Sequence, residues 1–426
     1  MPADTRFWHP FADMHAVRGH EFVVERGDGA YVWDADGNRY LDGTASLWCV
    51  NVGHGRTEIV EAAAAQMREL ASYSCFGAFA NRPALELTER LAALAPLDDP
   101  RIFLVSGGGD AIDTAAKLAR RYFAEVGQPD RVHLISRTQG YHGTHGLGTS
   151  IGGIPANREG VGPLDPNASQ VRHDSLPALE DEIQRVGADR VAAVFVEPVI
   201  GAGGVHQPAP GYVEGVAELC QRTGVLFVLD GVICAFGRLG TWFAAERFDV
   251  RPDLLTFAKG VASGYLPLGG VVVSAKVAAP FWDEGAWFRH GPTYAGHPTC
   301  CAAALANLDI IERDGLLDRG RELEGEIASA LRPLAEHPLV GDVRVGIGAL
   351  GGVAFATEAL AEAPDLPLRT FAAARERGVL VRPVGDAVAF SPPLVITREE
   401  VEHVAEVIAE ALDEVARAVP AAAGAR

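Results

Sequence analysis

The chain has 426 residues, 48% of them hydrophobic, and a formal net charge of −19, so it can build the cores of two or more domains. An acidic balance with no long basic run excludes a nucleic-acid backbone as partner, because nothing would release its counterions. With six cysteines in no CxxC pair, no HExxH, no apolar window of membrane length and no apolar leader in MPADTRFWHP, the chain reads as metal-free, without a membrane span, and cytoplasmic.

Residues 27–40, GDGAYVWDADGNRY, alternate polar and apolar positions around a turn and predict a β-hairpin or meander. Residues 58–70 and 82–94 have helical periodicity. From about residue 100 apolar runs alternate with helices. RIFLVS precedes a helix from Asp110 to Glu125, and RVHLIS follows it. VAAVFVEP precedes a helix from Tyr212 to Thr223; then come VLFVLDG, DLLTFAKG and GGVVVS. Short, continuous, β-rich runs divided by helices predict a largely parallel sheet covered on both faces. An alanine-rich helix follows Thr299 and another spans 319–331. Next come a strand in GALGGVAFA, a helix over 370–377 and a strand in GVLVRPVG. A last helix runs from Arg398 to about Ala418, and the terminal PAAAGAR is expected to fray. The reading is α/β, with a large domain at 56–304 and a smaller α+β domain assembled from 1–55 and 305–426.

Ligands of open α/β sheets bind beyond the carboxyl ends of the strands. Three apolar runs end in an ionisable residue: Glu197 after VAAVFV, Asp230 after VLFVL and Lys259 after LLTFA. Each is unfavourable if buried unpaired, so together they mark either an ion-pair cluster or a site on one sheet edge. A lysine there, desolvated to a neutral amine, suits Schiff-base chemistry. In RIFLVSGGGDAID a strand enters three glycines before a helix, which is a tight turn or a phosphate cradle. It is not a P-loop, since no GK[ST] follows. In GYHG, Tyr141 offers an aromatic face beside His142. A phosphate on the glycines, a ring against Tyr141, a ring nitrogen facing Asp230 and an aldehyde on Lys259 describe pyridoxal phosphate.

With SLWCVNVGHGR, EPVIGAGGVHQPAPGY, LDGVICAFGRLG, TFAKG, TYAGHP and VRPVGDAVAFSPPL, the chain resembles the class III, fold-type I pyridoxal-phosphate aminotransferases of the omega-amine:pyruvate group. The resemblance runs from about Trp8 to the last helix and implies a mostly parallel seven-stranded sheet. It implies Lys259 as the Schiff-base and proton-shuttling residue and Asp230 as the partner of the ring nitrogen. Val232 and Tyr141 would pack on the two ring faces, and Gly108 and Gly109 would donate N–H groups to the phosphate. Thr293 would reach the phosphate of a neighbouring subunit, which implies a homodimer with shared active sites and leaves a tetramer open. Glu197 and His142 complete the candidate cofactor-binding set. Trp48, Phe76, Ala202 and Ile233 would line the substrate pocket, with core packing as the other reading of Trp48 and Phe76. Arg382 resembles a mobile arginine that binds a substrate carboxylate; a surface ion pair is the other reading.

Two departures stand out. Gly109 replaces a serine usual in the phosphate turn, which removes a hydroxyl donor. Gly231 replaces a glutamate after the ring-binding aspartate, which is expected to loosen the strand end. The expected activity is transamination from a primary amine or omega-amino acid to pyruvate. Alternatives are a racemase, aminomutase or decarboxylase on the same scaffold, or a cofactor-binding protein with weak turnover.

Overall fold

The computed structural model describes residues 5–418. Strands β1 (Val24–Asp28), β2 (Tyr31–Asp34) and β3 (Arg39–Asp42) form the predicted antiparallel meander. Asp34 makes the turn after β2 by accepting the N–H groups of Asp36 and Asn38 at 3.0 and 2.8 Å.

Seven strands form the central sheet: β4 (Arg101–Val105), β5 (His133–Arg137), β6 (Ala168–Val171), β7 (Val191–Val196), β8 (Leu226–Asp230), β9 (Leu254–Phe257) and β10 (Gly269–Val273). Their order is β4-β10-β9-β8-β7-β5-β6. Only β10 runs against its neighbours. Every residue of β7, β8 and β9 is buried, which is why these segments read as continuous apolar runs. The edge strand β6 escaped prediction because it is short, half-buried and carries Ser169 and Gln170. The helix Leu176–Val186 also went unpredicted; it buries only Leu179 and Ile183, so its apolar stripe is thin.

The helix Gly108–Glu125 lies on the sheet, burying Ala111, Ile112, Ala115 and Ala119 with Val105, Phe195, Val228 and Val271. Helices Thr57–Leu70 and Arg82–Leu94 pack on the helix Pro298–Arg313. The smaller sheets use β11 (Val340–Arg344), β12 (Gly351–Phe355), β13 (Val379–Leu380), β14 (Arg382–Val384) and β15 (Ala387–Phe390). GVLVRPVG, expected as one strand, divides at Val381: β13 pairs with β3 in parallel, whereas β14 is the outer strand beside β15. Pro383 has no N–H to donate and is tolerated in that edge strand. The last helix, Arg398–Ala418, buries Val401, Val404, Ile408 and Leu412. PAAAGAR lies outside the described residues.

One buried cation joins these parts. Arg238 is 0% exposed and donates to the carbonyls of Ala349 and Pro392 at 2.9 and 2.6 Å and to Asn51 Oδ1 at 2.9 Å. Burial pulls its pKa down to about 10. The Asn51 amide in turn donates to the Phe236 carbonyl at 2.8 Å.

Candidate active site

Because β7, β8 and β9 are parallel neighbours, their carboxyl ends meet at one edge of the sheet. Glu197, Asp230 and Lys259 therefore line a single cavity of about 430 Å³. The glycine turn 107–109, Tyr141, His142, Val232 and Ile233 line it too, as does the segment 264–268 at Gly264, Leu266, Pro267 and Leu268. Its size is that of a small-ligand site.

Lys259 sits two residues beyond β9 in a left-handed conformation, φ 45°, a strain that persists only where the surroundings impose it. Asn307 supplies part of that constraint, its amide donating to the carbonyls of Gly260 and Val261 at 2.9 Å each. A Cβ on Gly260 would fall 2.5 Å from the Asn51 amide nitrogen, so the residue after the lysine has to be small. Burial lowers the Lys259 pKa, against the attraction of Asp230 and Glu197. Among the described residues its amine has no ion-pair partner.

Asp230 is held from three sides. Its Oδ2 accepts from His142 Nδ1 at 2.8 Å; its Oδ1 accepts from Thr256 Oγ1 at 3.0 Å and the Val232 N–H at 3.1 Å. Thr256 is a contact that the sequence reading did not single out, although it stands three residues before Lys259 in LLTFAKG. Glu197 accepts the N–H groups of Tyr141 at 2.9 Å and Gly201 at 3.2 Å, and so fastens two pocket segments by their backbones. Burial pushes its carboxyl up. The Gly231 N–H donates to the Thr256 carbonyl at 2.9 Å.

The helix after β4 starts at Gly108, two residues earlier than the sequence reading placed it. The N–H groups of Gly108 and Gly109 thus fall in the first turn, where they have no partner within the helix. A Cβ on Gly108 would lie 2.9 Å from Val232 Cγ1, so the turn is already closely packed.

Trp48 is buried rather than exposed to the cavity. Its ring lies 3.0 Å from where a Gly201 Cβ would be, and Ile233 Cδ1 lies 2.5 Å from the same point. The segment that delivers it is strained, with Ala45, Ser46 and Trp48 all at positive φ. Asp42 pins that segment, accepting the N–H groups of Thr44 and Ser46 at 3.0 and 2.7 Å, the Thr44 hydroxyl at 2.8 Å and His54 Nε2 at 2.9 Å. Burial alone would raise the Asp42 pKa; these bonds outweigh it and hold it below the usual range. Ala202 is half-buried beside Gly201. Arg382 opens β14 half-buried, its charge facing Tyr141. Its Nε is buried with no hydrogen-bond partner, and burial lowers its pKa. Phe76 is 53% exposed and lines a second cavity, of about 820 Å³, with Phe103, Trp287 and His290. Thr293 is exposed and lies outside both cavities.

The family described as Aminotransferase class-III matches residues 14–412. The chain belongs to the class III aminotransferases. It is 36% identical over 450 residues to the putrescine–pyruvate aminotransferase of Pseudomonas aeruginosa, covering 98% of both chains. It is similar to an (S)-enantioselective omega-transaminase from Thermomicrobium roseum, with a TM-score of 0.92, 39% identity and 96% of each chain covered. A PLP-bound amine transaminase from an uncultivated Pseudomonas species gives a TM-score of 0.92 at 36% identity, covering 98% of this chain and 99% of that one. The enzyme is thus an aminotransferase of fold type I that uses pyridoxal phosphate. Its residues fit that cofactor: a buried amine without an ion-pair partner, a fixed carboxylate and a side-chain-free helix start share one cavity of suitable size. These relatives do not favour the racemase, aminomutase, decarboxylase or weak-turnover alternatives.

Proposed function

We propose that this aminotransferase moves the amino group of a primary amine or omega-amino acid to pyruvate, giving an aldehyde or ketone and alanine. The observation that carries this reading is the buried Lys259, without an ion-pair partner among the described residues, sharing one cavity with the triply held Asp230. When bound, pyridoxal phosphate supplies an aldehyde that condenses with amines and a ring that draws electrons from the adjacent carbon. Lys259 Nζ would hold the cofactor and would carry the proton between the donor carbon and the cofactor. Asp230, kept in place by His142 and Thr256, would pair with the ring nitrogen. The Gly108 and Gly109 N–H groups would hold the phosphate, while Tyr141 and Val232 would bound the ring. Glu197 keeps the Tyr141 and Gly201 backbones in position around it.

Ile233 lines the donor pocket, with Trp48 packed behind it and Ala202 beside Gly201; Phe76 completes the pocket from across the subunit boundary, and Arg382 binds the carboxylate of pyruvate. Its half-buried guanidinium, with Nε unpartnered, supports that role. Two chains form the working unit, with the exposed Thr293 and Phe76 meeting the partner; larger assemblies build on that dimer. The large domain spans 56–304, and the smaller one combines 1–55 with 305–426. Six free cysteines suit the cytoplasm.

A panel of diamines, omega-amino acids and arylalkylamines, each with pyruvate, tests the reading by alanine formation. Arg382→Ala is expected to raise the KM for pyruvate about tenfold to a hundredfold, the worth of a charge-assisted hydrogen bond. It should leave the half-reaction with an arylalkylamine nearly unchanged. Equal loss with the apolar amine would remove Arg382 from carboxylate binding, and no alanine from any donor would overturn the activity.

A further inference from the structure

We propose that His145 is a ligand of the cofactor phosphate, seated in the space that Gly109 leaves by having no side chain. The inference rests on pyridoxal phosphate occupying the cavity described above. A Cβ on Gly109 would lie 3.3 Å from both Cε1 and Nε2 of the His145 ring. The imidazole therefore borders the same turn that lines the cavity.

Its position there is built by the chain. Gly143, at φ +82°, passes so close that a Cβ would fall 2.9 Å from the Gly109 Cα, so only glycine lets this segment lie on the turn. One helical turn of Gly108–Glu125 supplies two carboxylates that hold residues 145–148. Asp113 Oδ1 accepts the Gly148 N–H at 2.9 Å, and Asp110 Oδ1 lies 3.4 Å from His145 Nδ1. With Nδ1 turned to Asp110, Nε2 is the nitrogen left beside Gly109.

The donor set points the same way. The side chains of Asp110 and Asp113, in the first turns of the helix that would receive the phosphate, offer no positive charge to it. Among the residues lining the cavity Lys259 is the only ammonium or guanidinium group, and it is engaged in the chemistry. His142, the lining histidine, is already bonded to Asp230. With Nδ1–H directed at Asp110, the half-exposed His145 ring donates from Nε2 when it carries both protons, and in that form it supplies the donor that the glycine turn lacks.

The test measures equilibrium binding of pyridoxal phosphate and of pyridoxal to the full-length protein, followed by the visible cofactor band. His145→Ala is expected to weaken pyridoxal phosphate binding about tenfold to a hundredfold, the range for one hydrogen bond to a charged group. Pyridoxal, which has no phosphate, should bind as it does to the wild type. Gly109→Ser should recover binding in the His145→Ala background yet add little to the wild type, where the ring already fills that space. Equal weakening for both ligands would reduce His145 to a structural part of the turn, and no weakening for either would exclude it; each result overturns the proposal. If the wild type develops no band with pyridoxal phosphate, the cofactor reading falls and takes this inference with it.

Discussion

Lys259→Ala is expected to lower kcat/KM by more than about 10⁴-fold, because one substitution removes both the covalent attachment and the proton carrier. The visible band of the bound cofactor should disappear or shift in the same variant. Loss of folding is not the expected cause. The turn keeps its anchors, since Asn307 bonds the carbonyls of Gly260 and Val261, and neither bond involves the lysine side chain. The effect on stability should have the opposite sign. Burial depresses the Lys259 pKa below its ordinary value. At neutral pH the unfolded chain therefore holds its proton more firmly than the folded one does, and the residue opposes folding. Its destabilising effect is fully present below the folded pKa and fades as pH rises toward the unfolded value. The cofactor-free Lys259→Ala protein should accordingly melt at or above the wild-type temperature, an exchange of stability for function. Steady-state kinetics paired with thermal melting of both cofactor-free proteins checks this. A variant that loses activity and melts well below the wild type would show that the lysine is structural.

Asp230→Asn should cost about 10²–10³-fold in kcat, in the range of losing one electrostatic group aimed at developing charge. The remaining oxygen of the amide can still accept from Thr256 and Val232, whose bonds fall on Oδ1. The amide nitrogen, however, takes the place of Oδ2 and meets His142 Nδ1, a donor, at 2.8 Å. Either the imidazole adopts its other tautomer or the contact opens, and in both cases the negative charge is gone. The variant should bind cofactor and show a visible band, and saturating cofactor should not restore the rate. Near-wild-type kcat in Asp230→Asn would exclude this carboxylate from stabilising the ring.

Much of this site was readable in the sequence because burial leaves a strong mark. VAAVFV, VLFVL and LLTFA are apolar throughout because parallel central strands are covered on both faces. An ionisable residue at each run's end then stands out, and strand order alone gathers Glu197, Asp230 and Lys259. The glycine turn was legible as a strand-to-helix turn, although its helix begins two residues earlier than expected. Other features depend on distances between remote segments and left no periodic trace. The pairing of Thr256 with Asp230 and the seating of His145 against Gly109 belong to this group. So does Arg238, which reads as an ordinary arginine in FGRLG until the fold surrounds it with Asn51, Ala349 and Pro392. Trp48 is a further case. An aromatic near a pocket motif gives no indication that Asp42 holds its strained backbone, or that its ring is buried against Gly201. The break at Val381 was equally silent, since β13 and β14 are both short and lie one residue apart in the chain.

The most direct test of Lys259 and Asp230 as an amino-transfer centre is a single-turnover cycle on the purified holoenzyme. An amine donor without acceptor should bleach the visible band, and pyruvate should then restore it while one alanine forms per active site. A band indifferent to every amine, or one restored by pyruvate with no alanine formed, would contradict that assignment.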